Sequence, residues 1–239
     1  GLVDKFEIAY MWGGIWGPDP VYRRAVEKGI PKPIELEEYS NFTAGMRFMA
    51  ASLGLPFMPT KSLLGSDIPV HNPKIKIIDD PYTGEPVALV PASHPDVAFI
   101  HVQRCDPIGN AQILGHVGND DCLARAARRV VITTEEIVPT EEIQRTANLT
   151  YIPYYCVDAV VKVPFGSHGR GCAYCYPMDV PYGLQLQKVW STAEGFEKWA
   201  EEWIYGVDDW EGYCRKVGWE RLSRLAMAER RYQQYGEVR

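Results

Sequence analysis

The chain has 239 residues, of which 46% are hydrophobic, so it is long enough to bury a sizeable core. Its net charge is −6 and its pI is near 5.4, so the chain has no excess of basic residues of the kind with which nucleic-acid binders neutralise phosphates. No stretch approaches the roughly 18 consecutive apolar residues of a membrane span. No signal-peptide pattern is present either, so we expect a cytoplasmic protein with no membrane or nucleic-acid partner and with reduced cysteines.

The amino-terminal part is expected to hold a strand and two capped helices. An apolar run at 6–12 predicts the strand. Asp19 is placed to cap a helix that has proline as its first residue and glycine after its last. Ser40 or Asn41 then caps a helix of about 13 residues, which Gly54 ends.

A proline-bounded loop follows at 55–67 and carries Lys61, Gly65 and Ser66. A cation beside small polar groups would suit a substrate carboxylate or a thioester oxygen. The alternative, which the pattern alone favours, is an exposed lysine on a surface loop. The loop is therefore a candidate binding segment that needs support from elsewhere.

The stretch at 96–115 is the most informative part of the chain. Its apolar run at 97–102 is rich in β-branched and aromatic residues, which predicts a strand buried on both faces in the middle of a parallel sheet. His101 and Gln103 stand where this run gives way to polar residues, and open α/β sheets bind ligands at the carboxyl ends of their central strands. A plain strand and turn with a solvated tip is the alternative that the residues leave open.

Strands and helices alternate through the remainder of the chain. Apolar strands are predicted at 130–133 and 157–163, and a helical, aromatic-rich pattern begins near residue 192. This order predicts an α/β fold with an open, mostly parallel sheet and helices on both faces. We expect a single domain, 1–239, in which residues from about 192 form a C-terminal helical extension.

Three groups of reactive side chains can be weighed on their chemistry. Cys172 and Cys175 have the spacing of a redox pair or of half a zinc site, but no second such pair exists, so packed thiols are favoured. Carboxylates at 35, 37 and 38 could act as a base, although charges there are usually solvated. Glu135 and Glu136 follow a predicted strand and are better placed, yet capping of the next helix is favoured for them.

Motifs of several other enzyme classes are missing from the sequence. It contains no Gly-x-Gly-x-x-Gly, no Walker lysine motif and no Gly-x-Ser-x-Gly. Ser167 and His168 are adjacent, but the sequence assigns them no acid partner, so a serine triad is not predicted.

Ordered motifs along the chain resemble the A (alpha) subunits of class I CoA-transferases, most nearly those of the glutaconate CoA-transferase type. The match runs from Gly1 to about Leu225 and depends on many short pieces that occur in the same order. The pieces are Leu-Pro-Phe-Met-Pro at 55–59, Gly-Ser at 65–66, Gly-Glu-Pro-Val-Ala at 84–88, Val-Pro at 90–91, Asp-Val-Ala-Phe-Ile-His at 96–101, Gly109, Thr-Thr-Glu-Glu-Ile at 133–137, Ile-Pro at 152–153, Cys-Val-Asp-Ala-Val-Val at 156–161, Pro-Phe-Gly-Ser-His at 164–168, and Cys172.

The resemblance implies a heteromeric enzyme, a heterodimer or heterotetramer, in which a B (beta) subunit supplies a nucleophilic glutamate. CoA would pass from an acyl-CoA, with a small or dicarboxylic acyl group, to a carboxylic acid through a glutamyl-CoA intermediate. This chain would contain no catalytic nucleophile and would provide acyl-pocket walls and oxyanion donors, with coenzyme A entering as acyl-CoA substrate and no metal expected. The substrate-binding candidates are Ser40, Asn41, Lys61, Gly65, Ser66, His101 and Gln103.

Two departures from the family affect these expectations. Its A subunits begin roughly 70 residues earlier, so we expect another segment to cover the sheet edge that a missing first unit would expose. A branch that hydrolytically opens a steroid-derived ring CoA thioester has a glutamate where this chain has Ser40 or Asn41, which argues against ring opening. Lys61 matches an arginine of that branch, so an anion-binding role stays open.

The sequence therefore leaves three hypotheses. The first is the A (alpha) subunit of a CoA-transferase, and the second is a CoA thioester hydrolase or ring-cleaving enzyme of the same superfamily. The third is a non-catalytic assembly subunit. The acyl group is not specified by this chain, because the pocket would be shared by two polypeptides.

Overall fold

A computed structural model describes residues 1–11 and 14–236. They form two compact units, one made of residues 1–98 and 119–128, the other of residues 99–118 and those from 129 onward. The prediction of a single domain, 1–239, with a helical extension from about residue 192 stays a prediction. Among the described helices, none combines the length and the apolar character needed to cross a membrane.

The first unit contains two small sheets with helices beside them. Strand β1 pairs in parallel with β2, while β5 lies between β3 and β4 and is antiparallel to both. Its strands are β1 (Lys5–Ile8), β2 (Glu35–Glu38), β3 (Phe57–Thr60), β4 (Lys76–Asp79) and β5 (Pro86–Pro91), and its helices are α1 (Pro20–Lys28), α2 (Asn41–Ser52), α3 (Ile68–His71) and α4 (Asp120–Ala126), with a 3-10 turn at Gly14–Trp16. Position 12 of the predicted strand at 6–12 lies outside the described residues.

The ends of the first two helices follow the predicted capping chemistry. The Asp19 carboxylate accepts hydrogen bonds from two N–H groups of the first turn of α1, at 2.9 and 2.8 Å, and Gly29 ends this helix with a φ of 65°. At α2, the Ser40 hydroxyl accepts from the Thr43 N–H at 3.1 Å and the Thr43 hydroxyl accepts from the Ser40 N–H at 2.9 Å. Such caps contribute about 1 kcal/mol each, so these boundaries are fixed locally.

Packing in the first unit includes a cluster of buried apolar side chains and one close helix contact. The cluster is formed by Tyr39, Leu63, Ile75, Ala88 and Val90. Helix α2 approaches Asn119 so closely that a Cβ atom added to Gly45 would lie 2.4 Å from the Asn119 Oδ1 atom. A side chain at position 45 would therefore require the Asn119 side chain to move.

Glu37, on β2, is a buried and ionised carboxylate. It lies 2.6 Å from the Lys5 Nζ atom and 2.8 Å from the Lys74 Nζ atom, and the Tyr39 hydroxyl donates to it. Burial alone would raise the pKa of Glu37, but these hydrogen bonds lower it to about 2. The sequence favoured a solvated side chain for Glu37, but this side chain is buried. Its carboxylate is held in ion pairs, which opposes a role as a base.

The second unit is built on a five-stranded sheet with the order β10-β8-β6-β7-β9. Strand β10 is parallel to β8, whereas β7 is antiparallel to both of its neighbours. The strands are β6 (Val97–Cys105), β7 (Ala111–Gln112), β8 (Arg129–Ile137), β9 (Thr150–Ile152) and β10 (Ala159–Lys162), the helices are α5 (Thr140–Arg145), α6 (Val180–Val189), α7 (Ala193–Ala200), α8 (Trp210–Val217) and α9 (Trp219–Gly236), with 3-10 turns at Ala147–Leu149 and Tyr154–Cys156 and a π-helical turn at Glu201–Tyr205.

The predicted α/β class and the aromatic-rich carboxyl-terminal helices are confirmed. The strand directions are more mixed than a mostly parallel sheet implies, because β7 reverses the chain between β6 and β9. The expectation that β6 is buried on both faces was wrong, since Val97 and Phe99 are 45% and 73% exposed while Ala98 and Ile100 are buried. A short apolar run does not distinguish one-sided from two-sided burial.

Candidate functional site

His101 lies within β6 and contacts two side chains of the neighbouring strand β8. Its Nε2 atom is 2.7 Å from the Glu135 Oε1 atom, and its Nδ1 atom is 2.9 Å from the Thr133 hydroxyl. Because an ionised carboxylate only accepts, Nε2 carries the ring proton toward Glu135 and Nδ1 accepts from Thr133. The imidazole is thereby fixed in one tautomer and one orientation.

Glu135 joins three parts of the second unit. Its Oε1 atom also accepts from the Tyr176 hydroxyl at 2.6 Å, and its Oε2 atom accepts from the Phe165 N–H at 2.7 Å. Burial, together with this carboxylate, raises the pKa of Tyr176 far above its usual range, so the phenol remains a donor. The predicted capping of the next helix is not observed for Glu135, because β8 continues past it.

The segment between residues 164 and 176 packs closely against His101. A Cβ atom added to Gly166 would lie 2.6 Å from the His101 Cε1 atom. Phe165 and Tyr174 have φ values of 61° and 67°, a backbone region that costs non-glycine residues roughly 1–3 kcal/mol and that concentrates at functional sites. This strain makes the cluster around Glu135 a candidate functional site.

Cys172 and Cys175 stand in a tight turn beside this cluster. The Cys175 N–H donates to the Cys172 carbonyl at 2.9 Å, and Cys172 forms an isolated bridge with Tyr176. The Cys172 Sγ atom, the His101 imidazole and the Glu135 carboxylate have ligand-type atoms that all lie within 4.8 Å of one another. A hydrogen bond between the two thiols raises the pKa of Cys172 and lowers that of Cys175.

Gln103, two residues beyond His101, has its amide group engaged by the backbone. Its Nε2 atom donates to the carbonyls of Leu114 and Ala173, both at 3.1 Å, and its Oε1 atom accepts from the Leu114 N–H at 3.0 Å. Direct contact with a substrate would require these bonds to break. The side chain therefore ties β6 to two neighbouring segments, and its predicted role in binding stays a prediction.

The remaining predicted binding residues belong to the first unit. Ser40 caps α2, whereas Asn41 is exposed at the first helical position. Lys61 is 60% exposed and is paired with Glu85. The Ser66 hydroxyl donates to the Leu63 carbonyl at 3.0 Å, and a Cβ atom added to Gly65 would meet no atom within 4 Å. The loop thus presents the Lys61 ammonium, which is already paired with Glu85, and open space beside Gly65.

A second polar cluster in the second unit surrounds His168. Its Nδ1 atom is 2.8 Å from the Tyr213 hydroxyl and its Nε2 atom is 3.2 Å from the Asp179 carboxylate, which Arg221 contacts at 2.6 and 2.8 Å. Burial lowers the pKa of His168 in spite of the adjacent Asp179 carboxylate. The Ser167 hydroxyl donates instead to the Gly171 carbonyl at 2.9 Å, so no serine triad forms.

The His168 cluster adjoins a cavity of about 560 Å³ with aromatic walls. A neutral imidazole and fixed rings can accommodate a flat or apolar group but provide no free charge. Among the polar groups that line the cavity, His168 is held by Asp179 and Tyr213, and the Asp209 carboxylate accepts from the Gly212 N–H. Rings that line the cavity include Tyr182, Trp199, Trp203, Trp210 and Tyr213.

Sequence reasoning underrates one residue of these clusters and misses others. It favours helix capping for Glu135, and no pattern in the sequence singles out Tyr176 or Asp179. Thr133 and Glu135 are two residues apart, and such residues share one face of a strand. This spacing is the feature of the sequence that could have placed Thr133 and Glu135 together. The contacts of Glu135 with His101 and Tyr176 join residues far apart in the chain, and no sequence pattern predicts them.

Comparison with known families and proteins supports the resemblance. The chain matches the family described as Coenzyme A transferase over residues 1–163. An uncharacterized protein from Archaeoglobus fulgidus is 45% identical over 231 residues, which cover 96% of this chain and 51% of that protein. The chain therefore spans about half the length of this relative.

Two relatives with assigned activities are A subunits. That of the 3-oxoadipate CoA-transferase from Pseudomonas knackmussii is 35% identical over 213 residues, covering 88% of this chain and 75% of that one. That of the glutaconate CoA-transferase from Acidaminococcus fermentans is 36% identical over 220 residues, covering 85% and 68%. The crystal structure of the latter enzyme aligns with a TM-score of 0.81 at 35% identity, covering 87% of this chain and 70% of that chain. This chain belongs to the coenzyme A transferase family.

Proposed function

We propose that this chain is the alpha (A) subunit of a heteromeric CoA-transferase. The observation that carries the proposal is the agreement of two relatives at 35% and 36% identity, both named as CoA-transferase A subunits, each over at least 85% of the chain. The partner would be a CoA-transferase B (beta) subunit, in a heterodimer or heterotetramer. We also propose a cytoplasmic location and a single domain for this chain.

The proposed reaction proceeds through covalent intermediates on a glutamate of the beta partner. A glutamate carboxylate from the beta partner attacks the thioester carbonyl of an acyl-CoA, and the CoA thiolate leaves to give an acyl-glutamyl anhydride. The thiolate then attacks the glutamyl carbonyl, which releases the first acid and forms the glutamyl-CoA thioester. A second carboxylic acid takes the CoA by the reverse of these steps. This chain provides no nucleophile.

Lys61 is the residue of this chain that we assign to the acyl group. These two relatives are named for glutaconate and 3-oxoadipate, which are dicarboxylates, so a dicarboxylic acyl group is proposed here. Its remote carboxylate would replace Glu85 as the partner of Lys61. Both side chains are 60% exposed, so their present pairing contributes little and its exchange costs little.

The other proposed binding residues have different roles. Asn41, Gly65 and Ser66 would line the acyl pocket, where Gly65 leaves room beside the loop. Ser40 and Gln103 would shape the site, because their polar groups are held by the backbone. His101 would present the remaining surface of a fixed imidazole, which is 18% exposed.

The test is reconstitution of the chain with its beta partner. An acyl-CoA donor and isotope-labelled glutaconate or 3-oxoadipate are supplied, and the acyl-CoA products and free thiol are quantified. We expect one new acyl-CoA for each donor consumed, with no release of free CoA. Borohydride added during turnover should trap a modified glutamate in the beta partner and none in this chain.

Three other results would replace the proposal. Release of one free CoA per donor without an acid acceptor, and without a trapped glutamate, would identify a thioester hydrolase. Addition of one water to a ring CoA thioester, with no CoA released, would identify a ring-cleaving enzyme. Equal transfer rates with and without this chain would identify a non-catalytic assembly role.

A further inference from the structure

The cluster around Glu135 brings together side chains of the types that bind zinc. His101, Glu135 and Cys172 each offer one ligand atom, and these three atoms lie within 4.8 Å of one another. Cys175 follows Cys172 after two residues, the spacing of cysteine pairs in zinc sites. We propose that His101, Glu135, Cys172 and Cys175 bind one zinc ion, independently of the proposed transferase function.

The orientation of His101 suits a metal at its Nε2 atom. This atom is 2.7 Å from the Glu135 Oε1 atom, with a proton between them. A zinc ion would take the place of this proton. The Nδ1 atom would then carry the ring proton and donate to the Thr133 hydroxyl, now 2.9 Å away, which can accept as well as donate. Ligating histidines are commonly oriented by such a partner on their other nitrogen.

Glu135 is also held in a way that leaves one oxygen for a metal. The Phe165 N–H fixes the Oε2 atom at 2.7 Å, and the Tyr176 hydroxyl orients the Oε1 atom at 2.6 Å. The Tyr176 bond can persist when zinc replaces the His101 proton, because a carboxylate oxygen has two lone pairs. The carboxylate would therefore bind through Oε1 alone.

The distances agree with a four-coordinate site after small movements. Zinc bonds of about 2.0–2.3 Å in a tetrahedron place the ligand atoms roughly 3.3–3.8 Å apart. Among His101, Glu135 and Cys172, the separations between ligand atoms run from 2.7 Å to at most 4.8 Å, which brackets that range. Side-chain shifts of about 1 Å would bring these three atoms to zinc-binding separations, and a rotation of the Cys175 side chain would supply the fourth ligand. Thiolate and imidazole ligands favour zinc over magnesium or calcium.

A site with four protein ligands has no open position, so we assign the zinc a structural role. It would join β6, β8 and the turn that holds the two cysteines. The sequence predicted no metal because no second cysteine pair exists. In the structure, His101 and Glu135 would take the place of that pair.

The test uses the full chain, stripped of metal with a chelator and then supplied with equimolar zinc. Elemental mass spectrometry should find about one zinc per chain. Cys172→Ser and His101→Gln should each lower the zinc content by about tenfold or more. Cys122→Ser, which changes a half-buried thiol outside the cluster, should keep the full zinc content. Circular dichroism would establish that each variant is folded.

A second measurement needs no variant. Zinc should slow alkylation of Cys172 and Cys175 by about tenfold or more while leaving Cys122 unchanged, and cobalt in its place should give thiolate-to-metal absorption bands. Failure of the wild-type chain to retain zinc would overturn the proposal. Retention of zinc by folded Cys172→Ser, or unaltered alkylation of the pair, would do the same.

Discussion

Glu135→Gln is the most informative single change in this chain. It preserves the size of the side chain but removes its charge and one of its two acceptor oxygens. Three donors now converge on the carboxylate, from His101 and Tyr176 at 2.7 and 2.6 Å and from the Phe165 N–H at 2.7 Å. The new amide N–H₂ group would face at least one of these donors, so one bond is lost and one donor is left buried.

The expected cost follows from these contacts. A hydrogen bond to a charged group contributes about 1.5–3 kcal/mol, and a buried donor left unpaired costs a similar amount. Glu135 is 11% exposed, so water compensates only a little of this loss. We expect the free energy of unfolding of Glu135→Gln to fall by about 3 kcal/mol, which lowers the melting temperature by roughly 6–12 °C.

The assay is urea unfolding in a chelating buffer, which keeps any metal contribution out of the comparison. Tryptophan fluorescence is a suitable probe because five of the seven tryptophans follow residue 189. Glu136→Gln is the matched control, since Glu136 is the exposed neighbour and its change should stay within about 0.5 kcal/mol. Identical unfolding midpoints for the two variants, at unchanged slopes, would refute the assigned role of the Glu135 hydrogen bonds.

Three further predictions concern other parts of the chain. The pKa of Glu37 is depressed from 4.5 to about 2, so its contribution to stability is complete above pH 4.5 and is lost as the pH falls toward 2. Between pH 4.5 and 2, Glu37→Gln should therefore reduce the pH-dependent change in the free energy of unfolding by about 2 kcal/mol, a figure lowered because the Lys5 and Lys74 partners are partly exposed. The same pH dependence in wild type and variant would contradict this. Gly166→Ala should cost about 1–3 kcal/mol because its Cβ atom would meet the His101 ring at 2.6 Å, whereas a midpoint equal to wild type would show that the loop adjusts freely. In the reconstituted enzyme, Lys61→Ala should raise KM for a dicarboxylic acid by about tenfold and leave KM for a monocarboxylic acid unchanged. The control Glu85→Gln should raise neither KM. Equal effects of Lys61→Ala on both acids would show that Lys61 does not recognise the second carboxylate.

The geometry also explains why residues 164–176 are confined to their conformation. Gly166 is packed against His101, and Phe165 is kept at a positive φ while its N–H donates to Glu135. Tyr176 closes the segment through the same carboxylate. Loss of Glu135 would therefore release several constraints together, and double-mutant cycles with Tyr176→Phe should show strong non-additivity.

Local chemistry in the sequence was sufficient to predict several features of this fold. Asp19 and Ser40 cap their helices as predicted, since a cap needs only a side-chain oxygen and the N–H groups two or three residues away. The α/β class follows from the alternation of apolar strands with helical patterns. The family could be identified because its motifs are short, ordered and spread along the chain.

The Glu135 cluster depended on the tertiary structure. His101, Glu135 and Tyr176 are separated by 34 and 41 residues, and no periodicity relates residues so far apart. For the same reason, the predicted two-sided burial of β6 was wrong at Phe99, because burial depends on what packs against a strand. The sequence by itself determined the helix caps, the fold class and the family, which depend on neighbouring residues or on ordered motifs. Which polar side chains meet was decided only when the strands took their places in the sheet, because contacts across strands are set by register.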